Sequence, residues 1–484
     1  MFLFGAFCLL TLPWLNPFTF GPTPAVVPWL FSMACAGTVL GIVGVITATT
    51  APGMDRQTWV RAIAGAWVIA ALISAAIGLV QYFGDSAALT PWVNGTELGE
   101  AYGNLRQRNQ FATLMAMGLA ALVWWVMQGA SWRLAVAAAV LLAMGSVASS
   151  SRTGLLQWLL CIAVATQCGG NRQSTVRRVL LISALVYAVA TVGLPWLAGL
   201  DPMNSGAWAR LRAGDAACMG RLTLWSNVLH LITQKPWLGW GWGELGHAQF
   251  VTLYPGPRFC DILDNAHNLP LHLAVELGAP IAAALCGAGL WVVIRAKPWR
   301  EKDPTRQMAW TILALIGLHS LLEYPLWYGP FQIAVGLCAW LLLRSPKAPP
   351  RIAWVAALML AGCAYAAWDY WRISQIYLPV DERSSYYRDN TMDKLRKSWL
   401  FESQVQFAEL TTTNLTADSA EQIYEQALQL LHFSSEPRVI EKLIESATLL
   451  GRNDDAAYYL QRYKAAFPDA YARWAAASAG HKAP

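Results

Sequence analysis

The chain has 484 residues, of which 56% are hydrophobic and only 13% charged, with a mean hydropathy of +0.37 and a formal net charge of +6. A soluble domain carries about 25% charge, so a soluble enzyme, a disordered chain and a collagen-like rod are excluded for the apolar part. Basic clusters of the kind that bind nucleic acid are missing, and so is a GxxxxGK(S/T) phosphate loop, which speaks against an ATP-driven pump. The charges are unevenly spread: 28 fall in residues 371–484, about a quarter of that stretch, and 36 in the first 370, about a tenth. The first three quarters therefore reads as membrane protein and the last quarter as a soluble region. The 25 Trp fit two aromatic interface belts.

A helix needs about 20 apolar residues to cross a bilayer. Candidate spans lie near 2–19, 26–48, 61–83, 110–128, 132–149, 153–168, 178–200, 279–295, 308–322, 330–343 and 352–370, eleven in all. The fifth and sixth are short. The first lacks a basic n-region and an A-x-A site, so it reads as a retained span rather than a cleaved signal. The expected fold is an all-α polytopic membrane protein.

Lys and Arg in short loops set the orientation. Arg172, Arg177 and Arg178, then Arg295, Lys297, Arg300, Lys302 and Arg306, then Arg344, Lys347 and Arg351 fall on one side when eleven spans are threaded. That side is the cytoplasm. The opposite side receives 84–109, the turn at 149–152, the segment 201–278, the turn at 323–329 and the C-terminal tail. The expected domains are 1–370, membrane-embedded and including the outer loop 201–278, and 371–484, a helical region on the outer side.

A loop of about 78 residues is functional or disordered as a rule, and the Trp, Gly and Leu content of 201–278 favours packing. Residues 220–234 have amphipathic helical spacing, after which Pro236 and the run Gly239-Trp-Gly-Trp-Gly243 force turns. In the tail, 400–432, 436–450 and 453–466 show apolar positions three and four apart. Ala456, Tyr459, Leu460, Tyr463 and Phe467 resemble half of a tetratricopeptide-like helix pair, which suits a small helical cap rather than a repeat array.

The candidate chemistry all falls on the outer side. Arg152, in Ser-Ser-Ser-Arg-Thr-Gly between two spans, runs against the positive-inside bias; it is either a snorkelling anchor or a functional cation. Arg221 opens the amphipathic helix, where a guanidinium fork and the free N–H groups of a helix start both suit a phosphate. His267 lies in Asp261-Ile-Leu-Asp264-Asn265-Ala-His267-Asn268, just before the eighth span. Imidazole suits general-base work, and the neighbouring carboxylate and amide can orient it. Asp261, Asp264, His267, His272 and Glu276 make a rival metal set, but their spacing matches no known ligand motif, so no metal is expected. Gln107, Arg108, Asn109 and Gln110 either cap a helix or line a site for sugar hydroxyls. Glu323 and Tyr324 crowd the outer end of spans nine and ten with Trp327 and Tyr328. The 9 Cys contain no CxxC pair. Cys218 and Cys260 both fall in the outer segment, and a bridge there would close a loop of about 43 residues.

Arg152 in its Ser-Arg-Thr turn, Arg221 followed by Trp225, Pro236 with Gly239, Gly241 and Gly243, His267-Asn268 with Leu271, and Glu276-Leu-Gly278 together resemble the O-antigen ligase and polymerase superfamily. The likeness runs in order from about residue 100 to 345. Gly103-Asn-Leu-Arg-Gln-Arg-Asn-Gln-Phe111 and the C-terminal helices resemble its protein-glycosylating branch, the bacterial O-linked oligosaccharyltransferases. The resemblance implies an all-helical fold of the GT-C type in the bacterial inner membrane, with the active site in the periplasm. It implies an undecaprenyl-pyrophosphate-linked oligosaccharide as donor, metal-independent inverting transfer and no cofactor. The acceptor would be a Ser or Thr hydroxyl of a pilin-like or secreted protein, or, in the ligase branch, lipid A-core. His267, Arg221 and Arg152 would be catalytic, and Gln107, Arg108, Gln110, Asp264, Asn268, Glu323 and Tyr324 would bind substrate. Eleven spans is slightly fewer than is usual in that superfamily. A transporter or flippase would show mid-membrane charge pairs and internal repeats, and neither is present. A non-enzymatic adaptor leaves the outer arginines and histidine unexplained.

Overall fold

A computed structural model describes residues 2–48, 55–165, 172–213, 218–343 and 351–480. Arg344 and Lys347 of the third basic loop lie outside the described residues. Among those described, every regular element is a helix. In chain order they are α1 (Phe2–Thr11), α2 (Val26–Ala48), α3 (Arg56–Tyr82), α4 (Arg108–Met127), α5 (Trp132–Ala148), α6 (Arg152–Ala165), α7 (Gln173–Leu197) and α8 (Gly206–Ala213). There follow α9 (Arg221–Gln234), α10 (Leu245–Val251), α11 (Leu269–Leu277), α12 (Ala279–Ala296), α13 (Pro304–Ser320), α14 (Gly329–Leu342) and α15 (Ile352–Ser374). The tail holds α16 (Thr391–Leu395), α17 (Glu402–Thr412), α18 (Ala420–Leu430), α19 (Pro437–Leu449), α20 (Asn453–Ala466) and α21 (Pro468–Gly480).

Each of the eleven apolar segments coincides with a helix. Six of these, α2, α3, α4, α7, α12 and α15, are long and apolar enough to cross a membrane. The first segment is shorter than expected: α1 stops at Thr11, and a single 3-10 turn at Leu12–Trp14 with Pro13 follows, because a proline lacks the N–H that continues a helix.

The chain divides into two compact units, 1–214 with 292–367, and 215–291 with 368–484. The segment from 215 onward thus groups with the C-terminal helices, whereas a cut at residue 370 would leave it with the spans.

In the first unit α4 is the axis. Every residue from Gln110 to Leu122 is buried, so the helix is wrapped on all sides rather than along a stripe. Close approach is made possible by small residues, as in membrane helix packing generally. A Cβ at Gly118 would stand 2.4 Å from the Ala71 Cβ of α3. One at Gly145 of α5 would stand 2.9 Å from the Ala75 Cβ, and one at Gly154 of α6 2.7 Å from the Ala112 Cβ. These contacts bring the first turns of α4 and α6 together.

In the second unit two apolar clusters form. One joins Leu224, Val228 and Leu231 of α9 to Leu245, Ala248, Leu263 and Val275. The other joins α17 to α20 and takes in Phe250 of α10. The predicted helix at 400–432 is two helices, α17 and α18, because Asn414-Leu-Thr-Ala-Asp-Ser419 forms side-chain turns, Ser419 and Thr416 bonding one another's backbone.

Candidate active site

In the first unit the polar run before α4 takes structural positions. The Gln107 side chain caps α4 by accepting from the Gln110 N–H at 2.6 Å. Arg108 pairs with Glu100 at 3.0 Å. Gln110 is buried, and its side-chain oxygen accepts no hydrogen bond. The residue of that run that reaches across elements is Asn109. Its amide donates to Glu323 Oε1 at 3.0 Å, and its Oδ1 accepts from Ser151 Oγ at 2.6 Å. Ser151 Oγ in turn accepts from the Gly154 N–H at 3.0 Å, inside the first turn of α6. Glu323, only 6% exposed, is therefore tied through Asn109 to the start of the helix that carries Arg152. Beneath this relay, Thr113 Oγ1 meets His319 Nδ1 at 2.9 Å, and Gln157 donates to Thr113 at 2.8 Å. Tyr324 stacks on Tyr328 at 5.9 Å.

Arg152 is the first residue of α6 and is exposed. It lines a cavity of about 280 Å³ with Ser150, Ser151, Leu155, Trp158 and Tyr187 among its walls. The walls are apolar apart from the Ser-Ser-Arg edge and Thr191.

In the second unit Arg221 opens α9 behind Gly220, which has no side chain to cap the helix start. The loop that carries His267 has no regular structure, and side-chain amides hold its backbone. Buried Asn227 accepts from the Phe259 N–H at 2.8 Å and donates to the Pro257 carbonyl at 2.9 Å. Gln249 accepts from the Leu263 N–H at 2.8 Å and donates to the Asp261 carbonyl at 3.1 Å. The Trp225 indole donates to the Ala266 carbonyl at 3.1 Å. Cys218 and Cys260 are joined in a disulfide with Cα atoms 5.4 Å apart.

His267 sits in the left-handed region at φ 48, a conformation non-glycine residues rarely adopt. It is held there from both sides: its N–H donates to Asn265 Oδ1 at 2.9 Å, and Asn268 caps α11 by accepting from the Leu271 N–H at 3.1 Å. Such outliers cluster where function requires a set geometry. His267 does not directly precede the eighth span as its position suggested; α11 intervenes and breaks at Gly278. Loss of surrounding water holds the Asp264 carboxyl above its usual range although its side chain still reaches solvent, and His267 pulls it back down.

The glycine run clasps the end of α11. Trp240 N–H donates to the Val275 carbonyl at 2.8 Å and Gly241 N–H to the Glu276 carbonyl at 3.0 Å. A Cβ at Gly239 would lie 2.3 Å from the Glu276 oxygen, and one at Gly278, φ +89, 2.1 Å from the Trp237 oxygen. Glu276 is 2% exposed and accepts from the Gly243 N–H at 3.0 Å. Burial pushes its carboxyl up to about 7 despite that bond. Burial, and then the nearby His267, lowers His272 to about 4, and its Nε2 lies 3.4 Å from Glu276 Oε2. His272 and Glu276 thus brace the clasp rather than join Asp261, Asp264 and His267 in a ligand set.

Sequence reasoning did not single out Ser151 or the two amides, Asn227 and Gln249. Ser151 stood in view in the Ser-Ser-Ser-Arg run. A buried amide at Asn227 or Gln249 has no sequence signature beyond a polar residue on an apolar helix face.

Three stretches of the chain match protein families. Residues 101–126 match the family described as protein glycosylation ligase, 137–286 the O-antigen ligase family, and 307–481 the C-terminal part of a virulence factor membrane-bound polymerase. The chain is a multi-pass membrane protein, all-helical among the described residues, with segments that match the O-antigen ligase and protein glycosylation ligase families. Among curated proteins it is similar to a general O-oligosaccharyltransferase of Acinetobacter baylyi, 24% identical over 337 residues, which is 63% of this chain and 56% of that protein. A ComP-specific O-oligosaccharyltransferase of the same organism is 25% identical over 253 residues, 51% of this chain and 45% of the relative. An O-antigen ligase of Pseudomonas aeruginosa is 25% identical over 319 residues, 65% of each. The chain spans about half the length of the two oligosaccharyltransferases it matches.

Proposed function

We propose that this protein transfers an oligosaccharide from undecaprenyl-pyrophosphate to Ser or Thr hydroxyls of periplasmic proteins, without a metal and with inversion at the anomeric carbon. The observation that carries this reading is Arg152 on the rim of an apolar cavity. An isoprenoid pyrophosphate needs apolar walls beside a cation that can fork onto phosphate oxygens. Arg221, the first residue of α9, supplies a second cation at the positive end of that helix. The names of the relatives, and the protein glycosylation ligase match over the Gln107–Phe111 region, support the protein acceptor.

In the proposed reaction the acceptor oxygen attacks the anomeric carbon as the bond from that carbon to the pyrophosphate oxygen breaks. The bonding pair leaves with the pyrophosphate, and the arginines stabilise the developing charge. The hydroxyl proton passes to the His267 imidazole. Asp264 and Asn268 orient that ring, while Gln107, Arg108, Gln110, Glu323 and Tyr324 shape the substrate-binding region. The protein sits in the bacterial inner membrane with its active side and C-terminus in the periplasm. A reporter that is active only in the cytoplasm, fused at Pro484, is expected to be silent.

The test is transfer by the purified chain from a lipid-linked glycan to a candidate acceptor, read by mass spectrometry. His267→Ala is expected to lower transfer by about 10²–10⁴-fold and to leave donor binding intact. Arg152→Lys and Arg221→Lys, which keep charge but lose the fork, are expected to lower it while the protein still reaches the membrane. Wild-type activity in His267→Ala would overturn the base, and inhibition of the chemical step by chelator, restored by metal, would replace it with a metal mechanism. The O-antigen ligase match at 137–286 and the Pseudomonas relative favour a second reading in which lipid A-core is the acceptor. Glycan found on lipid A-core and on no protein would decide for it.

A further inference from the structure

Three side chains of the second unit, none of them assigned to transfer, converge. Glu244 precedes α10, His247 lies on the first turn of that helix, and His432 lies in the turn after α18. Glu244 Oε2 stands 2.7 Å from His432 Nδ1 and 3.5 Å from His247 Nδ1. The two imidazole rings are tilted by 35° to one another with centroids 4.0 Å apart. One ligand atom from each residue falls within 4.8 Å of the other two.

We propose that Glu244, His247 and His432 bind one zinc-class divalent transition-metal ion, with water in the fourth position. The ion would fasten α10 of the outer segment to the turn between α18 and α19.

Zinc bonds of about 2.0–2.2 Å in a tetrahedron separate ligand atoms by roughly 3.3–3.6 Å; the 3.5 Å between Glu244 and His247 falls inside that span, and the 2.7 Å hydrogen bond between Glu244 and His432 would open by roughly 0.6 Å to admit the ion. The donor set fits as well, since two neutral imidazoles and one carboxylate suit zinc better than calcium or magnesium, which prefer oxygen. Exposure is graded. The side chains of His247 and Glu244 are 20% and 27% exposed and that of His432 is 50% exposed, which closes the site on one side and leaves water access on the other.

The ion would add to two contacts that hold α10 to α20. The Arg462 guanidinium donates to the Val251 carbonyl at 2.7 Å, and Phe250 stacks on Tyr459 at 6.5 Å. The proposal concerns the architecture of the outer region and takes no part in the transfer chemistry.

The test uses the full chain in detergent, with any affinity tag removed, stripped with EDTA and titrated first with Co²⁺ and then with Zn²⁺. One ion per chain is expected, with the visible d–d absorption of four-coordinate Co²⁺, bleached as Zn²⁺ displaces it. Glu244→Gln and His432→Ala are each expected to weaken binding roughly tenfold or more. His432 is half exposed, so its variant should fold, and circular dichroism checks that it has. No Co²⁺ spectrum in the wild type, or an unchanged spectrum and affinity in His432→Ala, overturns the proposal. Metal content is read independently of transfer: an inactive wild type that binds the ion would sink the proposed function and leave this site standing.

Discussion

The two units solve the same problem with different means. In the first, backbones approach across Gly118, Gly145 and Gly154, and the buried Thr113, Gln157 and His319 bond one another between three helices. In the second, much of the backbone is irregular. It is held by a disulfide, by the amides of Asn227 and Gln249, and by a glycine clasp around a buried carboxyl. Helices satisfy their own backbone and need only shape from their neighbours. A loop cannot, so each of its backbone groups requires a named partner.

The largest expected effect tests the second kind of holding. Cys218→Ser opens a loop whose closure is worth about 4 kcal/mol in the chain-entropy model. Limited proteolysis of the full chain in detergent should then cut between residues 218 and 291 far faster, with the helices of the first unit cut no faster than before. Equal acceleration in both units would erase the distinction. Thiol labelling of the wild type is expected to miss both cysteines until a reductant is added.

The buried carboxyl gives the next effect. Glu276 has its folded value near 7, above the usual 4.5. The stability it contributes is fully present below the unfolded value and is lost as pH rises through about 7, a window worth about 3 kcal/mol. Glu276→Gln keeps an acceptor for the Gly243 N–H and cannot ionise. Its unfolding midpoint should therefore rise relative to that of the wild type between about pH 5 and 8, because the lowered His247 and His272 act in both proteins. Parallel curves for the two proteins would show that the group stays ionised.

The smallest effect belongs to the first unit. Gly118→Ala places a methyl group where Ala71 already stands, and overpacking of this kind costs about 1–3 kcal/mol. The thermal midpoint of the purified chain should drop, while the disulfide still forms. An unchanged midpoint would mean that α3 and α4 separate without cost and that their close approach is not what holds the unit.

The apolar segments of the first unit were visible at once, because a span advertises itself by length and composition. Even the short fifth and sixth candidates coincide with α5 and α6. The amphipathic spacing at 220–234 likewise marks α9 to within a residue. What stayed hidden depends on distance in space. The partnership of Asn109 with Glu323 joins residues 214 apart, and the convergence of Glu244 with His432 joins residues 188 apart. α10 was missed because it is short and borrows its apolar face from a neighbour. The left-handed turn at His267 left no trace either, since it is imposed by Asn265 and Asn268 rather than by a glycine.

The amide clamps on the loop around residues 257–263 have a consequence for how such a protein can diversify. Asn227 and Gln249 grip carbonyls and N–H groups, atoms common to nearly all amino acids, and leave side chains such as Ile262 outside at 41% exposure. Mutation can therefore rewrite what this loop presents to its surroundings while the path of its backbone stays the same. Selection for a new partner would act on the outward residues, and the two amides would remain under constraint.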